Sequence, residues 1–260
     1  MNYRYALVGA GIVGAFAAGY IAGHRPGATA APAEALTRAD FDQLASDFIT
    51  DHGELLDHAI ADHRNAQVHA KLEMARQTLA ARHHDVYDDP DMPSAGAAGA
   101  DVTIVEFFDY RCPYCKSSAP AIEHLLQTDP GVRVIWRDLP ILGDESVYLS
   151  HLALAAGACG RYREFHAAVF AALSGHAKRD EIDRVVQSAG FDPAQLEAES
   201  HTPAIEATIQ RNLDLAKAIG VNGTPAWVIG DQLIPGALTA DRLAEQITDL
   251  RRHEPDPPHS

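Results

Sequence analysis

A short apolar segment followed by a pair of cysteines constrains the fold of this chain more than any other feature. Residues 102–108 form an apolar run long enough for one buried strand, and Cys112-Pro113-Tyr114-Cys115 comes soon after it. Pro113 suits the first position of a helix, where a missing N–H costs nothing. Cysteines three positions apart on a first helical turn lie on one face, close enough to form a disulfide. The segment therefore predicts a strand, a dithiol turn and a helix in succession.

The two cysteines of this turn have different expected reactivities. Cys112 lies at the N-terminus of the predicted helix, where unpaired N–H groups and the positive end of the helix dipole favour a thiolate and lower its pKa. Cys115 lies one turn further in and is expected to be less exposed. The pattern indicates a redox-active site in which Cys112 forms a mixed disulfide and Cys115 resolves it.

Other uses of the cysteine pair fit the sequence less well. A structural zinc ion needs four ligands, whereas the chain has three cysteines in all, the third being Cys159. An inert disulfide closing so small a loop would contribute little stability. Dithiol exchange itself requires no metal and no organic cofactor. Cys159 lies in a small-residue patch, which favours a buried, unreactive thiol over the alternative of an exposed extra thiol.

Length and charge limit the class of protein. With 260 residues, 47% of them hydrophobic, the chain can bury the core of one domain of ordinary size and still carry an appendage. The formal net charge of −15 argues against a nucleic-acid partner, because such partners require a basic surface.

Residues 1–30 predict export. Residues 6–23 contain no charged side chain, Arg4 precedes them, and Ala28-Thr29-Ala30 has the small-residue pattern of a signal-peptide cleavage site after Ala30. Residues 6–23 are also just long enough for a short transmembrane helix, so an uncleaved membrane anchor is the alternative. Either form places the rest of the chain in a periplasmic or other extracytoplasmic compartment, which is oxidising.

Residues 36–87 predict a helical extension. Thr37 and Asp40 have the spacing of a helix N-cap, and a break is expected near Gly53. The second helix carries four apolar residues at coiled-coil spacing: Val68, Leu72, Ala75 and Leu79. This seam fits either self-association of the chain or packing of the helix on its own domain. A predicted linker at residues 88–100 favours self-association, because it would let the extension reach another chain.

Histidines are concentrated in the same extension. Six of the fourteen lie between His52 and His84. No two of the six stand three or four positions apart, the spacing that would bring two rings together on one helical face. They predict a solvated, titratable surface and no metal site.

Residues 101–250 predict an α/β domain, and a single carboxylate, Glu106, lies in the middle of its first strand. If both faces of that strand are covered, Glu106 has a raised pKa and lies close enough to Cys115 to exchange a proton with it. If the strand is half exposed, Glu106 points to water instead.

The remaining segments complete this domain. After the helix that starts at Pro113, the sequence predicts a second strand at 132–137, a helical insertion at about 144–219, a β-hairpin at 226–236 and a final helix at 239–250. The proline-rich tail, residues 251–260, predicts disorder.

These motifs together resemble the DsbA-like branch of the thioredoxin superfamily. The resemblance rests on Glu106-Phe107-Phe108-Asp109-Tyr110-x-Cys112-Pro113-Tyr114-Cys115, on the helical insertion, and on Gly223-Thr224-Pro225-Ala226 before a hairpin. It covers residues 101–250 and implies an α/β thioredoxin fold with a helical insertion, preceded here by the N-terminal helical extension. The extension, Cys-Pro-Tyr-Cys and Gly-Thr-Pro-Ala are similar to the periplasmic copper-sensitivity-suppressor type, ScsC.

The resemblance also implies roles for particular residues. Pro225 is expected to be cis and to face the cysteine pair, and Thr224 to help the exposed backbone pair with a substrate chain. Glu106 is expected to act as a buried proton relay. Pro113 and Tyr114, between the cysteines, are expected to contact substrate. A trans proline that merely starts an edge strand is the alternative at Pro225.

The implied function is an extracytoplasmic thiol:disulfide oxidoreductase or isomerase that acts on cysteine-containing polypeptides and has a membrane redox partner. Members of the ScsC type oligomerise through such an extension, which implies a dimer or trimer formed through residues 36–87. The direction of the redox chemistry stays open. A rival interpretation is a non-enzymatic chaperone or a copper-binding protein that uses the same cysteine pair.

Overall fold

The computed structural model of the chain describes residues 37–253. Two compact units are distinguished, residues 1–61 and residues 62–260. The predictions for residues 1–30, and for the end of the tail beyond residue 253, lie outside the described residues. Within the described range, every helix is either too short or too polar to cross a membrane.

The described part of the second unit contains both helices and strands, and the described part of the first contains helix only. In chain order the elements are α1 (Arg38–Asp51), α2 (Gly53–Ala81), α3 (His83–Tyr87), β1 (Ser94–Gly96), β2 (Val102–Phe108), α4 (Pro113–Thr128), β3 (Val132–Asp138), α5 (Asp144–Ala158), α6 (Tyr162–Ala172), α7 (Arg179–Ser188), α8 (Pro193–Ser200), α9 (Pro203–Ile219), β4 (Ala226–Ile229), β5 (Gln232–Pro235) and α10 (Ala240–His253). The predicted α/β class, βαβ unit, helical insertion and hairpin are confirmed.

The five strands form one mixed sheet in the order β1-β3-β2-β4-β5. Strands β2 and β3 run parallel because α4 connects them, and the other neighbours are antiparallel. The central strand β2 has neighbours on both edges and side chains buried on both faces. Its apolar sequence follows from this position, since a strand covered on both faces has no solvent side.

Two hydrophobic clusters cover the two faces of the sheet. On one face, Ile104 and Phe108 of β2 pack with α4, with the helical insertion and with α10. On the other, Val105 and Phe107 pack with Leu79, with the short helix α3 and with the C-terminal half of α9. The alternation along β2 puts Glu106 on the same face as Phe108, towards the helical insertion.

The segment predicted to be a linker, residues 88–100, contributes an edge strand. Strand β1 pairs antiparallel with β3, and the backbone N–H of Trp136 donates to the Pro93 carbonyl. Met92 is buried in the cluster that contains Leu79. Polar and Pro/Gly-rich composition suggested a free segment, but three paired residues and one apolar anchor suffice to hold it on the sheet.

The predicted end of the last helix and the predicted burial of Cys159 also differ from the structure. Helix α10 continues to His253, and Arg251, assigned to the tail, forms ion pairs with Asp101 and Asp129. Cys159 is exposed, so the prediction of a buried thiol is wrong. The reason is that α5 ends at Ala158, and Cys159 is its C-cap, three residues beyond Ala156, which is the last buried residue of the helix.

The extension begins with the predicted N-cap. The Thr37 side chain accepts a hydrogen bond from the Asp40 backbone N–H, and the Asp40 carboxylate accepts one from the Thr37 backbone N–H. Helix α1 has no buried residue, and Phe41, Leu44 and Phe48 lie exposed at helical spacing. In α2, Ala75 and Leu79 are buried, whereas Val68 and Leu72 are about half exposed, at 53% and 45%.

Candidate active site

The loop after β2 carries the cysteine pair and is held by a buried carboxylate. Asp109 Oδ1 accepts hydrogen bonds from the Arg111 backbone N–H and the Ser146 hydroxyl, and Oδ2 accepts from the backbone N–H groups of Ile141 and Leu142. The loop leaving β2 and the loop leaving β3 are therefore tied together at the start of α5. Cys112 follows as the N-cap of α4, with Pro113 in the first turn.

Cys112 lies in surroundings that stabilise its thiolate. A hydrogen bond from the Cys115 thiol lowers the pKa of Cys112 most. Hydrogen bonds from Thr224 and from the backbone N–H groups of Cys115 and Tyr114 lower it further, whereas burial raises it. The resulting pKa of Cys112 is about 5. The Cys112 residue is only 4% exposed. When protonated, it donates to the Thr224 carbonyl oxygen at 3.1 Å. The N–H and S–H donors outnumber that single acceptor, so the anion is favoured.

Cys115 has the opposite character. It is fully buried, one helical turn inside α4. Burial raises the pKa of Cys115 far above its ordinary value, and both the hydrogen bond to the Cys112 sulfur and the negative charge of Glu106 raise it further. Because a neutral thiol is the donor in that hydrogen bond, the same contact that makes Cys112 acidic keeps Cys115 protonated.

Glu106 is buried beneath the cysteine pair. It is 1% exposed, which excludes the alternative of a carboxylate pointing to water. Burial raises the pKa of Glu106 well above its ordinary value, and the negative charge on Cys112 raises it further. One carboxylate oxygen, Oε2, has no hydrogen-bond partner among the described residues. A buried carboxyl group without a fixed partner can exchange a proton with a nearby acid.

The loop before β4 closes the site from the opposite end of the sequence. The peptide bond between Thr224 and Pro225 is cis. The Thr224 carbonyl oxygen contacts Cys112, more than a hundred residues away in the chain. The Pro225 carbonyl accepts the Gly236 N–H, which joins this loop to the end of β5. Residues 106, 112, 115, 224 and 225 are thus brought together by strand pairing across β2 and β4.

Residues between and around the cysteines differ in exposure. Tyr114 is 65% exposed and Pro113 is also exposed, so both face solvent beside Cys112. Arg111 donates to the carbonyls of Gly175 and Leu142, and Lys116 donates to the Leu173 carbonyl at 2.6 Å. The contacts with Leu173 and Gly175 dock the cysteine turn on the helical insertion, while Pro113 and Tyr114 stay exposed.

Asp109 is the residue of the site that sequence reasoning passed over. A carboxylate two residues before an N–H that it binds is an Asx-turn, and Asp109-Tyr110-Arg111 directly after a buried strand has that form. This local signal was available. Its long-range partners, Ile141, Leu142 and Ser146, gave no signal in the sequence.

A groove of about 790 Å³ borders the Thr224–Pro225 loop. One side is formed by α2, including Val68, Leu72 and Met74, and the other by residues 217–226 together with β5. The residues of α2 that line it include the exposed half of the predicted coiled-coil seam. These apolar side chains therefore line a groove that lies next to the active site.

Comparisons with known proteins agree with this geometry. A family model described as a DSBA-like thioredoxin domain matches residues 103–248. A solved thioredoxin-like oxidoreductase from Silicibacter pomeroyi is 36% identical, with a TM-score of 0.62, and the match covers 66% of this chain and 98% of that one. The catalytic domain of Proteus mirabilis ScsC is 32% identical, with a TM-score of 0.59, and the match covers 67% of this chain and 97% of that domain.

Curated relatives match over different shares of their length. The thiol:disulfide interchange protein DsbA of Bordetella parapertussis is 28% identical over 156 residues, which are 58% of this chain and 73% of the relative. An Na⁺/H⁺ antiporter, NhaA 1 of Salinispora arenicola, is 30% identical over 62% of this chain. This chain spans only a quarter of the length of that antiporter and of a second Salinispora antiporter.

Proposed function

Because the chain belongs to the DSBA-like thioredoxin domain family, we propose that it is a thiol:disulfide oxidoreductase that exchanges disulfides with cysteine-containing polypeptides. The observation that carries the proposal is the opposed acidity of the two thiols: the pKa of Cys112 is lowered to about 5 by hydrogen bonds, and burial raises the pKa of Cys115. In such a pair, one sulfur is a thiolate nucleophile, and the other stays a protonated thiol until it resolves the mixed disulfide.

In the reductive direction, the Cys112 thiolate attacks one sulfur of a substrate disulfide. A Cys112–substrate disulfide forms, the substrate disulfide breaks, and the departing substrate sulfur leaves as a thiolate that takes a proton from solvent. The Cys115 thiol then gives its proton to the Glu106 carboxylate and attacks the Cys112 sulfur. The second substrate thiolate leaves, so the substrate has gained two electrons and the Cys112–Cys115 pair has lost two. Substrate oxidation is the reverse sequence.

Glu106 suits the proton transfer because burial raises its pKa and because its charge acts on Cys115. A carboxylate with a raised pKa is a stronger base than an ordinary one, so it can accept the proton of a buried thiol. We assign Glu106 the role of proton relay and Cys112 and Cys115 the roles of attacking and resolving thiols.

Substrate binding is assigned to the Thr224–Pro225 loop and to the exposed Pro113 and Tyr114. The Thr224 carbonyl lies against the Cys112 sulfur, so a peptide paired with this loop would bring its own cysteine to Cys112. The neighbouring groove, with Leu72 and Met74 on one wall, offers an apolar surface for the rest of an unfolded client. This supports polypeptides as the substrate class.

Isomerase activity and self-association through residues 36–87 belong to the same proposal. Helix α1 has no buried residue, and exposed Phe41, Leu44 and Phe48 form an apolar stripe that a second copy could cover. Several active sites facing a shared client would favour reshuffling of disulfides. We further propose a periplasmic location, which the export signal expected at residues 1–30 supports, and a membrane protein that resets the redox state of the cysteine pair.

Insulin reduction and refolding of scrambled ribonuclease test the proposal. The wild-type chain is expected to be active in at least one assay, and Cys112→Ser inactive in both, because serine cannot form the mixed disulfide. Cys159→Ser is the matched control, since Cys159 is exposed and outside the site, and should retain full activity. Equal activity of the wild type and Cys112→Ser would instead indicate a non-enzymatic chaperone or a copper-binding protein.

The direction of the chemistry follows from the equilibrium of the Cys112–Cys115 pair with glutathione. A strongly oxidising potential would favour a disulfide donor or isomerase, and a low potential a reductase. The stabilised Cys112 thiolate supports the oxidising alternative, because stabilising the reduced form raises the potential.

A further inference from the structure

Three side chains from three separate elements meet on the helical insertion, apart from the cysteine pair. They are His151 of α5, His201 directly after α8, and Glu206 in the first turn of α9. Each offers one donor atom suited to a metal ion, and the three donor atoms all lie within 4.8 Å of one another. None of the three takes part in the thiol chemistry proposed above.

His151 is oriented as a metal-ligating histidine is. Its side chain is 8% exposed, and Nδ1 lies 2.8 Å from the Val147 carbonyl oxygen. A carbonyl only accepts, so Nδ1 carries the proton, and in a neutral ring Nε2 then presents a lone pair. Metal-binding histidines typically use their second ring nitrogen to donate to a carbonyl in this way, which fixes the ring and the free nitrogen.

That free nitrogen faces a second acceptor. His151 Nε2 lies 2.9 Å from Glu206 Oε1. A lone pair and a carboxylate oxygen at this distance repel each other unless a positive charge lies between them or on the ring. The charge can be a second proton on His151 or a metal ion held by both atoms. The geometry alone permits either, and the third side chain distinguishes them.

His201 adds a second imidazole that an ion pair would not need. Its ring centroid is 5.5 Å from that of His151, and its side chain is exposed, as is that of Glu206. Ligands around a zinc ion lie roughly 3.3 Å apart, given bonds of about 2.0–2.1 Å in a tetrahedron. Here one donor pair lies 2.9 Å apart and every other donor separation is at most 4.8 Å, so small movements of the two exposed side chains would bring all three donors to zinc-binding distances.

We propose that His151 Nε2, His201 and Glu206 bind a zinc ion, with the fourth position open to water. Two histidines and one carboxylate are a ligand set that Zn²⁺ takes, whereas Mg²⁺ and Ca²⁺ prefer oxygen ligands alone. The ion would crosslink α5, the end of α8 and the start of α9, and so stabilise this part of the helical insertion. This proposal is independent of the proposed redox function.

Calorimetric titration of the full chain with zinc chloride tests the site. Cys159→Ser is used with Cys112 and Cys115 joined as a disulfide, so that no thiol competes for the ion. One binding event is expected to weaken at least about tenfold in His201→Ala and in Glu206→Gln, because each variant loses a ligand. Zinc should also raise the melting temperature of the parent by more than that of either variant.

The matched control is His176→Ala, which removes an exposed histidine in the turn after α6. This variant should bind zinc as the parent does, and the histidines of the extension contribute equally to all four proteins. Circular dichroism of each variant checks that the fold is retained. Zinc affinity and melting temperature that are the same in His201→Ala, Glu206→Gln and the parent would overturn the proposal and leave a protonated His151–Glu206 ion pair.

Discussion

Cys112 and Cys115 occupy one helical turn, yet their surroundings separate their acidities. Cys112 receives hydrogen bonds at the start of α4, whereas Cys115 is buried and donates one. The first pKa falls to about 5, and the second rises above its ordinary value. The position of each thiol along the helix therefore decides its reactivity. The helix start supplies N–H donors to Cys112, whereas one turn later Cys115 lies in the apolar core.

The pKa of Cys112 gives a prediction for pH. Cys159→Ser removes the exposed third thiol, and alkylation of this reduced variant by iodoacetamide should follow one titration near pH 5, with little reaction below it, since the thiolate is the nucleophile. Because the folded pKa lies below the unfolded one, the thiolate stabilises the reduced fold fully above roughly pH 9. That stability falls as the pH falls through the folded pKa.

A pair of substitutions tests the cause of that shift. Cys115→Ala removes the donor that lowers the pKa of Cys112 most, so the alkylation midpoint should move to higher pH. Cys115→Ser keeps a hydroxyl donor and should move the midpoint less. Equal midpoints in Cys115→Ala and the wild type would contradict the assigned hydrogen bond.

Glu106→Gln should slow the reaction and stabilise the fold. The rate at which mixed disulfides resolve is expected to fall at least about tenfold, because a general base commonly contributes 10²–10⁴-fold. The raised folded pKa means that Glu106 destabilises the fold above its unfolded pKa and has no effect well below it. The melting temperature of Glu106→Gln should therefore exceed that of the wild type at neutral pH, and the difference should vanish in acid. A melting temperature of Glu106→Gln below that of the wild type at neutral pH would contradict a destabilising, buried charge on Glu106.

At the scale of elements, the loops after β2 and β3 are joined by one side chain. Asp109 accepts four hydrogen bonds, from the start of the cysteine turn and from the loop that leads into α5. Its carboxylate is fully buried, so each lost bond would leave a donor poorly solvated.

Asp109→Ala should lower the free energy of unfolding by about 2–3 kcal/mol, since several donors lose their partner. Urea unfolding measures this directly. Asp109→Asn retains one acceptor oxygen and should cost less than Asp109→Ala. If the two variants unfold at the same urea concentration as the wild type, the carboxylate does not hold these loops.

At the scale of the whole molecule, α1 is an amphipathic helix whose apolar stripe is exposed. Leu44→Glu combined with Phe48→Glu should convert an oligomer to a monomer in sedimentation velocity, because charges on this stripe oppose contact with a second copy. Ser46→Glu adds charge to the opposite face of α1 and should leave the assembly intact. A wild-type chain that sediments as a monomer at micromolar concentration would contradict self-association.

The double variant Leu44→Glu and Phe48→Glu also distinguishes isomerase activity from reductase activity. If several active sites must face one client, the double variant should lose refolding of scrambled ribonuclease while it keeps insulin reduction. Loss of both activities together would indicate damage to the catalytic domain and no role for assembly.

Local patterns in the sequence were sufficient for much of this protein. Several elements depend only on neighbours within a few residues, so the local sequence predicts them. They are the strand β2, the helix start at Cys112-Pro113, the N-cap at Thr37 and the hairpin of β4 and β5. The acidity of Cys112 relative to Cys115 follows from the same local geometry.

Packing between distant segments decided the rest. Four features join residues that lie far apart in the chain. They are the contact of Thr224 with Cys112, the hydrogen bonds of Asp109, the pairing of edge strand β1, and the cluster of His151, His201 and Glu206. Cys159 is exposed because it is the C-cap of α5 and lies beyond Ala156, the last buried residue of that helix. Periodicity reports which face of an element is apolar, but it does not report which distant element covers that face, and these features depend on that choice.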